Sequence, residues 1–264
     1  MEPKFSLILA LAALFLTGPL TSPTIAAPHD IRCRPGVHLS KERPLTEKQT
    51  TKLLKGLKFW TGFNEIGIDG AGAVTLGNRA YLHTSSQTAR ALMIAAVDSQ
   101  HSFTIENRDR STVIAFARIQ EDIDCTHEPA TRYRGWQIQV DFSDFNKLRG
   151  NHFVLAAFDP AINVLHELVH GVFGYNDPLD ARDELGQCER YVNRIRAELG
   201  MPLRLRYYGK NVMTLDRAET AATQLIFVDS ASQRNNQRNY VVWFDLNRVV
   251  DINKAKSRKM FSRK

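Results

Sequence analysis

The sequence is poor in cysteine. Its 264 residues include Cys33, Cys125 and Cys188 and no others. Their spacing excludes both a C-x-x-C redox motif and the paired C-x-x-C motifs of a zinc ribbon. In an oxidising compartment Cys33 and Cys125 can form a disulfide that ties the N-terminal part to the domain, although spacing alone does not decide which two cysteines pair.

The sequence also lacks apolar runs of membrane-spanning length. Its longest run, residues 6–17 (SLILALAALFLT), is too short to cross a bilayer. With Lys4 before it and small residues at 24–26, it has the layout of a secretory signal peptide. We predict a signal peptide at residues 1–26 and a secreted or periplasmic protein with no stable membrane insertion after cleavage. An uncleaved N-terminal anchor is the alternative.

Acidic residues are fewer than basic ones, and the formal net charge is +7. Part of the excess lies in a basic tail at residues 251–264, which is more often a solvated chain end than a binding element. The sequence has no fingerprint of a nucleic-acid-binding module. The glycine-rich stretch 62–77 lacks the spacing of a phosphate-binding loop. We therefore predict no nucleic-acid partner and no nucleotide cofactor.

One chemical motif is present, the H-E-x-x-H sequence at residues 166–170. Two histidines four residues apart on a helix lie on one face, so His166 and His170 can both bind one Zn²⁺ ion. Glu167 then lies beside the metal, where it can take a proton from a metal-bound water. A helix that carries two histidines by chance is the alternative.

The residues around the motif predict the helix that it requires. Asp159 is a favoured N-cap residue, Pro160 suits the first helical position, and Gly174 is a typical stop. A second helix is predicted to end at Leu199, before Gly200. Further predicted elements are a helix from its N-cap Thr46 to Leu57, a helix at 87–96 with Ser86 as its N-cap, strands at 101–107, 112–120 and 136–142, and a hairpin of strands 223–228 and 240–246.

A catalytic zinc ion needs a third protein ligand and an open position for water. The metzincin pattern H-E-x-x-H-x-x-G-x-x-H is excluded, because Phe173 and Asn176 stand at its glycine and its last histidine. An aspartate ligand would be Asp177 or Asp180, although both are also natural cap and turn residues.

The other candidates are Glu184 and Glu189 on the second helix. Five residues apart, they point about 140° away from each other, so the helix does not present both to one metal ion. Glu189 adjoins an apolar stripe that includes Cys188 and Val192, where a charged group requires a partner. We predict Glu189 as the third ligand. The alternatives are a surface contact with Asn193, four residues further along the helix, and a pair with a neighbouring arginine.

With a glutamate 19 residues after the second histidine, the sequence resembles the gluzincin metallopeptidases. The segment 193–202 (NRIRAELGMP), followed by Arg204 and Tyr207, also resembles bacterial effector zinc metallopeptidases, over residues 87–208. The chain departs from that family in its signal peptide and C-terminal hairpin. Its glutamate also lies four residues before Asn193 instead of directly before it.

These resemblances imply an α+β, zincin-like fold, in which helices back a small mixed sheet. One helix carries H-E-x-x-H and a second carries another ligand. We predict a single domain of this kind over residues 46–250, after an irregular lead-in at 27–45. The resemblance further implies that an extended substrate pairs with a sheet edge, for which we predict the strand 136–142.

The predicted function is that of an exported zinc-dependent peptidase that hydrolyses a protein or peptide, with Glu167 as the general base. The oxyanion needs a further hydrogen-bond donor. Candidates are Tyr207, Tyr208, Arg204 and His152. The alternatives are a catalytically degenerate zincin-fold binding or structural protein, and a toxin or effector protease with one specific protein target.

Overall fold

The computed structural model describes residues 33–122, 125, 134–179, 185–213, 221–230 and 239–245, which contain six helices and eleven strands. The predicted signal peptide, the basic tail, Asp180 and Glu184 lie outside these residues. The helices are α1 (Glu47–Thr61), α2 (Gln87–Val97), α3 (Phe142–Phe145), α4 (His152–Ala156), α5 (Pro160–Phe173) and α6 (Gly186–Glu198). In the described part of the chain, none of them is both long and apolar enough to cross a membrane.

The strands form three sheets within an α+β architecture. They are β1 (Gly36–Leu39), β2 (Gly67–Ile68), β3 (Val74–Thr75), β4 (Ser102–Asn107), β5 (Ala117–Asp122), β6 (Gly135–Val140), β7 (Leu148–Arg149), β8 (Leu203–Arg204), β9 (Lys210–Met213), β10 (Ala221–Val228) and β11 (Asn239–Asp245). The first sheet has the order β1-β4-β6-β5, the second has the order β7-β11-β10-β8 with β9 also paired to β10, and β2 pairs with β3.

The first sheet corrects three sequence-based expectations. Strands β1, β4 and β6 are parallel and β5 is antiparallel, so β5 is an edge strand and β6, predicted as the edge, is internal. The predicted irregular lead-in contains β1, whose four residues are too few to show a periodic pattern. The strand predicted at 112–120 begins only at Ala117, because Phe116 has a left-handed backbone with φ of 64°.

The second sheet contains the predicted C-terminal hairpin. Strands β10 and β11 pair antiparallel along seven positions, with Leu225 opposite Val242. Leu225, Phe227, Val242 and Phe244 are buried. The pairing and the burial confirm the hairpin and show that one face of this sheet belongs to the core.

Helix α5 lies at the centre of the fold, packed against α1, α2 and α6 and against β5 and β6. Its ends are as predicted. Asp159 accepts a hydrogen bond from the Ile162 amide at 2.8 Å, Pro160 opens the helix, and Gly174 ends it with φ of 66°. The buried apolar side chains of α5 are Ala161, Ile162, Val164, Leu165, Leu168 and Val169. Full burial of a Val, Leu or Ile side chain contributes about 1.5–3 kcal/mol to stability. The burial of this apolar face therefore holds the helix in place.

Helix α1 holds the start of α5. Thr46 and Gln49 form a capping box at the beginning of α1, and Trp60 near its end donates a hydrogen bond from Nε1 to Asp159 at 3.2 Å. Gly56 lets the two helices approach closely, since a Cβ atom there would lie 2.5 Å from Cβ of Ala161. The position of α5 therefore depends on this contact.

Two cross-links tie peripheral segments to the core. Cys33 and Cys125 form a disulfide, which decides the pairing that the sequence left open, and Cys188 is buried and free. At the start of α2, the hydroxyl of Ser86 and the amide of Thr88 donate to the carboxylate of Glu198 at 2.6 and 3.0 Å. A carboxylate at a helix N-terminus is favourable. The end of α6 is thus joined to the beginning of α2.

We predict that Gly56→Ala lowers the free energy of unfolding by about 1–3 kcal/mol, because the added methyl group overpacks the contact with Ala161. The loss should occur although alanine is the better helix former. Urea denaturation measures the change. Lys55→Ala, at an exposed neighbouring position of α1, is the matched control and should stay within about 0.5 kcal/mol of the wild type. A Gly56→Ala variant as stable as Lys55→Ala would contradict the prediction.

Candidate metal centre

The second half of α5 and the loop after it bring three polar side chains together. Nε2 of His166 lies 3.0 Å from Oδ1 of Asp177, and Nε2 of His170 lies 3.3 Å from Oδ2 of the same carboxylate. His166 is buried, and His170 and Asp177 are partly buried. Corresponding ring nitrogens of both histidines therefore face one acidic group.

The other ring nitrogens have separate partners. Nδ1 of His170 lies 2.7 Å from the carbonyl oxygen of Tyr175, which only accepts hydrogen bonds, so this nitrogen carries the proton. Nδ1 of His166 lies 3.5 Å from Oε2 of Glu189. A histidine whose Nδ1–H is held in this way presents the Nε2 lone pair to a metal ion.

Glu189, the predicted third ligand, contacts the ring nitrogen of His166 that faces away from Asp177. It is 1% exposed and forms ion pairs with Arg196 and, at 3.2 Å, with Arg204. Burial alone would raise the pKa of Glu189, but the two arginines outweigh burial and hold this pKa well below its usual range. The arginine pair that sequence reasoning kept as the alternative is therefore present.

Cys188 is a further donor at the site, and His166, His170, Asp177 and Cys188 form a cluster that could hold a metal ion. The sulfur lies 3.3 Å from Nδ1 of His170, the nitrogen already directed at the Tyr175 carbonyl. Burial, with nearby carboxylates, raises the pKa of the Cys188 thiol well above its usual range. The donor atoms of all four residues lie within 4.8 Å of one another. The sulfur approaches Nδ1 of His170, whereas Asp177 lies at the Nε2 atoms of both histidines.

Glu167 is 8% exposed and is oriented by the edge strand β5, where the Ile119 amide donates to Oε2 at 2.9 Å. Burial raises the pKa of Glu167, and the charges of His166 and His170 act in the opposite direction. A carboxyl group with a raised pKa can both accept and release a proton closer to neutral pH.

Tyr207 is the predicted oxyanion donor that reaches the centre. Its hydroxyl donates to Oδ2 of Asp177 at 2.5 Å, and its ring stacks on His166 with centroids 5.9 Å apart. The other candidates are engaged elsewhere or exposed. Tyr208 donates to the Pro178 carbonyl at 2.7 Å, Arg204 binds Glu189 and backbone carbonyls, and His152 is exposed at the start of α4.

The loop that carries Asp177 is attached to α6. The Gln187 amide donates to the Asn176 carbonyl at 2.9 Å, and the Asn176 amide donates to the Gln187 side chain at 3.3 Å. From the sequence, Asp177 was only an alternative ligand, because aspartate at such a position is also typical of helix caps and turns. Its short distance in sequence from Gly174, after which the chain turns back, was the available signal.

The fold and the site define an α+β protein with a cluster of side chains able to hold a metal ion. The chain matches no protein-family model, no curated protein and no solved structure.

The carboxylate–histidine contacts predict a pH dependence for the metal-free protein. Burial alone would lower the pKa of His166, but hydrogen bonds to Asp177 and Glu189 raise it to about 10. Because the pKa of His166 in the folded protein exceeds its ordinary value, the stabilisation that protonated His166 provides is complete below about pH 6.5. It is lost as the pH rises towards 10. The pKa of Asp177 is depressed, so its contribution is lost only in strong acid.

We therefore expect the free energy of unfolding of chelator-treated protein to fall between pH 7 and 10, and Asp177→Asn to reduce this slope. Urea denaturation at several pH values measures both. Asp98→Asn, which removes the half-exposed ion pair with Arg79, is the matched control and should keep the wild-type slope. Equal slopes in the wild type and the Asp177→Asn variant would show that the contact with Asp177 does not shift the pKa of His166.

Proposed function

We propose that this protein is a zinc-dependent peptidase. His166, His170 and Asp177 are the metal ligands and Glu167 is the general base. The observation that carries the proposal is that both Nε2 atoms of the H-E-x-x-H motif face one carboxylate, while both Nδ1 atoms face other partners. Asp177 takes the role that sequence reasoning gave to Glu189, which instead holds His166.

The donor set fits zinc in chemistry and spacing. Bonds of roughly 2.0–2.1 Å in a tetrahedral arrangement separate neighbouring ligand atoms by about 3.3 Å. Nε2 of His166 lies 3.0 Å from Oδ1 of Asp177 and Nε2 of His170 lies 3.3 Å from Oδ2, so each nitrogen is at a comparable separation from its own oxygen of the carboxylate. Two neutral imidazoles and one carboxylate leave a fourth position open, as in catalytic zinc sites.

When bound, zinc lowers the pKa of a water molecule and polarises the carbonyl group of the peptide bond to be cleaved. The protein's own groups do the rest. Glu167, kept in place by the Ile119 amide, takes a proton from the water and later passes it to the leaving nitrogen. Tyr207 donates its hydroxyl proton to Asp177 in this structure, so it would have to turn away from that carboxylate to donate to the oxygen that gains negative charge.

A structural metal site is the second candidate, and Cys188 is the observation that favours it. With the sulfur as a fourth ligand, the coordination would be closed and no position would remain for water. Two facts favour the catalytic site. The Nδ1 atom nearest the sulfur is directed at the Tyr175 carbonyl, and the oriented, buried Glu167 has no role in a closed structural site.

The proposal also includes export of the protein and a protein or peptide as the substrate. An exported peptidase, either a general protease or a toxin or effector with one protein target, accords with the predicted signal peptide. A degenerate zincin-fold binding protein would tolerate the loss of Glu167, which the chain retains.

The ligand assignment predicts different metal affinities for two isosteric variants. We expect Asp177→Asn to weaken zinc binding by more than about 100-fold, and Glu189→Gln by about 10–100-fold, as for residues that orient a ligand. Competition with a chromophoric chelator measures both. Glu198→Gln, on the same helix as Glu189, is the control and should bind as the wild type does.

Stoichiometric zinc in Asp177→Asn, together with its loss in Glu189→Gln, would return the ligand role to Glu189. X-ray absorption of the zinc-loaded protein tests the structural alternative, because a sulfur neighbour that disappears in Cys188→Ser would indicate a closed site.

The assignment of Glu167 as the general base predicts that the Glu167→Gln variant keeps its fold and its zinc. Its rate of peptide hydrolysis should be about 10²–10⁴-fold lower than that of the wild type. Cleavage of a broad peptide library, followed by mass spectrometry, measures the activity. Gln120→Glu changes a side chain of the edge strand β5 that contacts Gln137 and not the metal centre, so this control variant should keep wild-type hydrolysis. Undiminished hydrolysis by the Glu167→Gln variant would refute the assignment of Glu167 as the general base. Wild-type protein that neither binds zinc nor hydrolyses peptides would refute the proposed peptidase activity.

A further inference from the structure

A second cavity, of about 290 Å³, lies on the face of the first sheet that is turned away from α5. Phe103 and Ile119 pack against Gly171 of α5. Because successive side chains of a strand point to opposite faces, Thr104, the next residue of β4, points away from that helix. Thr104 lines the cavity. The sheet therefore separates this cavity from the metal centre.

The side chains on this face of the sheet are polar, although several of them are buried. The buried ones are Ser102, Glu106, Asp122 and Gln139. A buried polar group costs free energy unless it has a partner. Contact with bulk water therefore does not account for the polarity of this face, whereas a polar ligand in the cavity would.

Glu106 keeps one carboxylate oxygen available to such a ligand. Its side chain is 8% exposed and lines the cavity. Oε1 accepts hydrogen bonds from Nε of Arg108 at 2.7 Å and from Nε2 of Gln139 at 2.8 Å. Within the described part of the chain, Oε2 has no hydrogen-bond partner and is not completely buried. Half of the acceptor capacity of this carboxylate is thus unused.

The charge of the cavity wall favours a cation. Its charged residues are Lys41, Glu42, Glu106 and Asp122. Burial raises the pKa of Glu106, and the charges of Asp122 and Glu42 act in the same direction, against a hydrogen bond from Gln139 and the charge of Arg43. An opposite charge beside these carboxylates would relieve their repulsion. The wall is acidic in a chain whose net charge is +7.

The two buried carboxylates lie at different ends of the wall. In the register of the sheet, Asp122 is level with Ser102, and Glu106 lies four residues further along β4. These two rows are about 13 Å apart at the backbone, at roughly 3.3 Å per residue. Among the described residues, the carboxylates and the imidazole of this cavity form no group close enough to share one metal ion. A ligand with two separate cationic groups can reach both ends.

The row between the two ends offers further hydrogen-bond acceptors. It contains Thr104 and Gln137, which are paired across β4 and β6 and both line the cavity. The hydroxyl and amide oxygens of these side chains accept hydrogen bonds from N–H groups. The wall is therefore complementary to an amine along its length.

We propose that this cavity binds a small aliphatic diamine, with one ammonium group paired to Glu106 and the other to Asp122. The site is independent of the proposed peptidase function, because it lies on the other face of the sheet and uses none of the residues assigned to hydrolysis.

Isothermal titration calorimetry of the zinc-loaded protein tests the proposal, with the diamine cadaverine and the matching monoamine pentylamine as probes. The second ion pair should make cadaverine bind at least about tenfold more tightly than pentylamine. Glu106→Gln and Asp122→Asn should each remove this advantage. Asp98→Asn, which changes an exposed carboxylate outside the cavity, is the matched control and should bind cadaverine as the wild type does.

Ala71→Phe keeps the test decisive if a buried carboxylate proves necessary for folding. Ala71 lines the cavity from the turn between β2 and β3, so the larger side chain fills the cavity without changing the sheet, and cadaverine binding should be lost. Equal affinities for the two probes, or cadaverine binding unchanged in these three cavity variants, would overturn the site. Displacement of cadaverine by equimolar Ca²⁺ would overturn the choice of an organic cation. Loss of binding only in Asp177→Asn would place the diamine at the metal centre and overturn the proposal.

Discussion

The Asp177 carboxylate contacts the Nε2 atoms of His166 and His170, and much of the structure holds these three side chains in position. His166 and His170 are fixed by α5, whose start is held by Trp60 of α1 and whose apolar face lies in the core. Asp177 is fixed by hydrogen bonds between its loop and α6, and Tyr207 donates to it. Elements from distant parts of the chain thus hold three donor groups in a spacing suited to a metal ion.

A buried charge network supports this arrangement from behind. Glu189 lies between Arg196 and Arg204, and the Arg196 side chain also donates to the Ala157 carbonyl at 2.9 Å. Burying such charges costs several kcal/mol per ion unless each is paired and hydrogen-bonded. The gain is rigidity, since Glu189 contacts His166 from a fixed position. In the proposed enzyme this network would keep the imidazole correctly oriented whether or not zinc is bound.

Local signals predicted the parts of the fold that local physics determines. The caps at Thr46, Ser86 and Asp159 and the stop at Gly174 satisfy backbone groups within a few residues, so sequence shows them directly. The order of β5 and β6 and the existence of β1 depend on partners far along the chain, and no local pattern carries them. Glu189 was predicted as a ligand from its spacing after His170 and its place beside an apolar stripe, but the ring nitrogen that it contacts depends on side-chain packing.

The disulfide between Cys33 and Cys125 makes the fold sensitive to its surroundings. It joins residues 92 apart, and in the chain-entropy account closing so long a loop destabilises the unfolded state by about 4–5 kcal/mol. Ahead of β1, it anchors the beginning of the described chain to the segment that follows β5. In a reducing cytosol this anchor is absent and β1 is held by its pairing with β4. The chain would therefore reach its full stability only in an oxidising compartment.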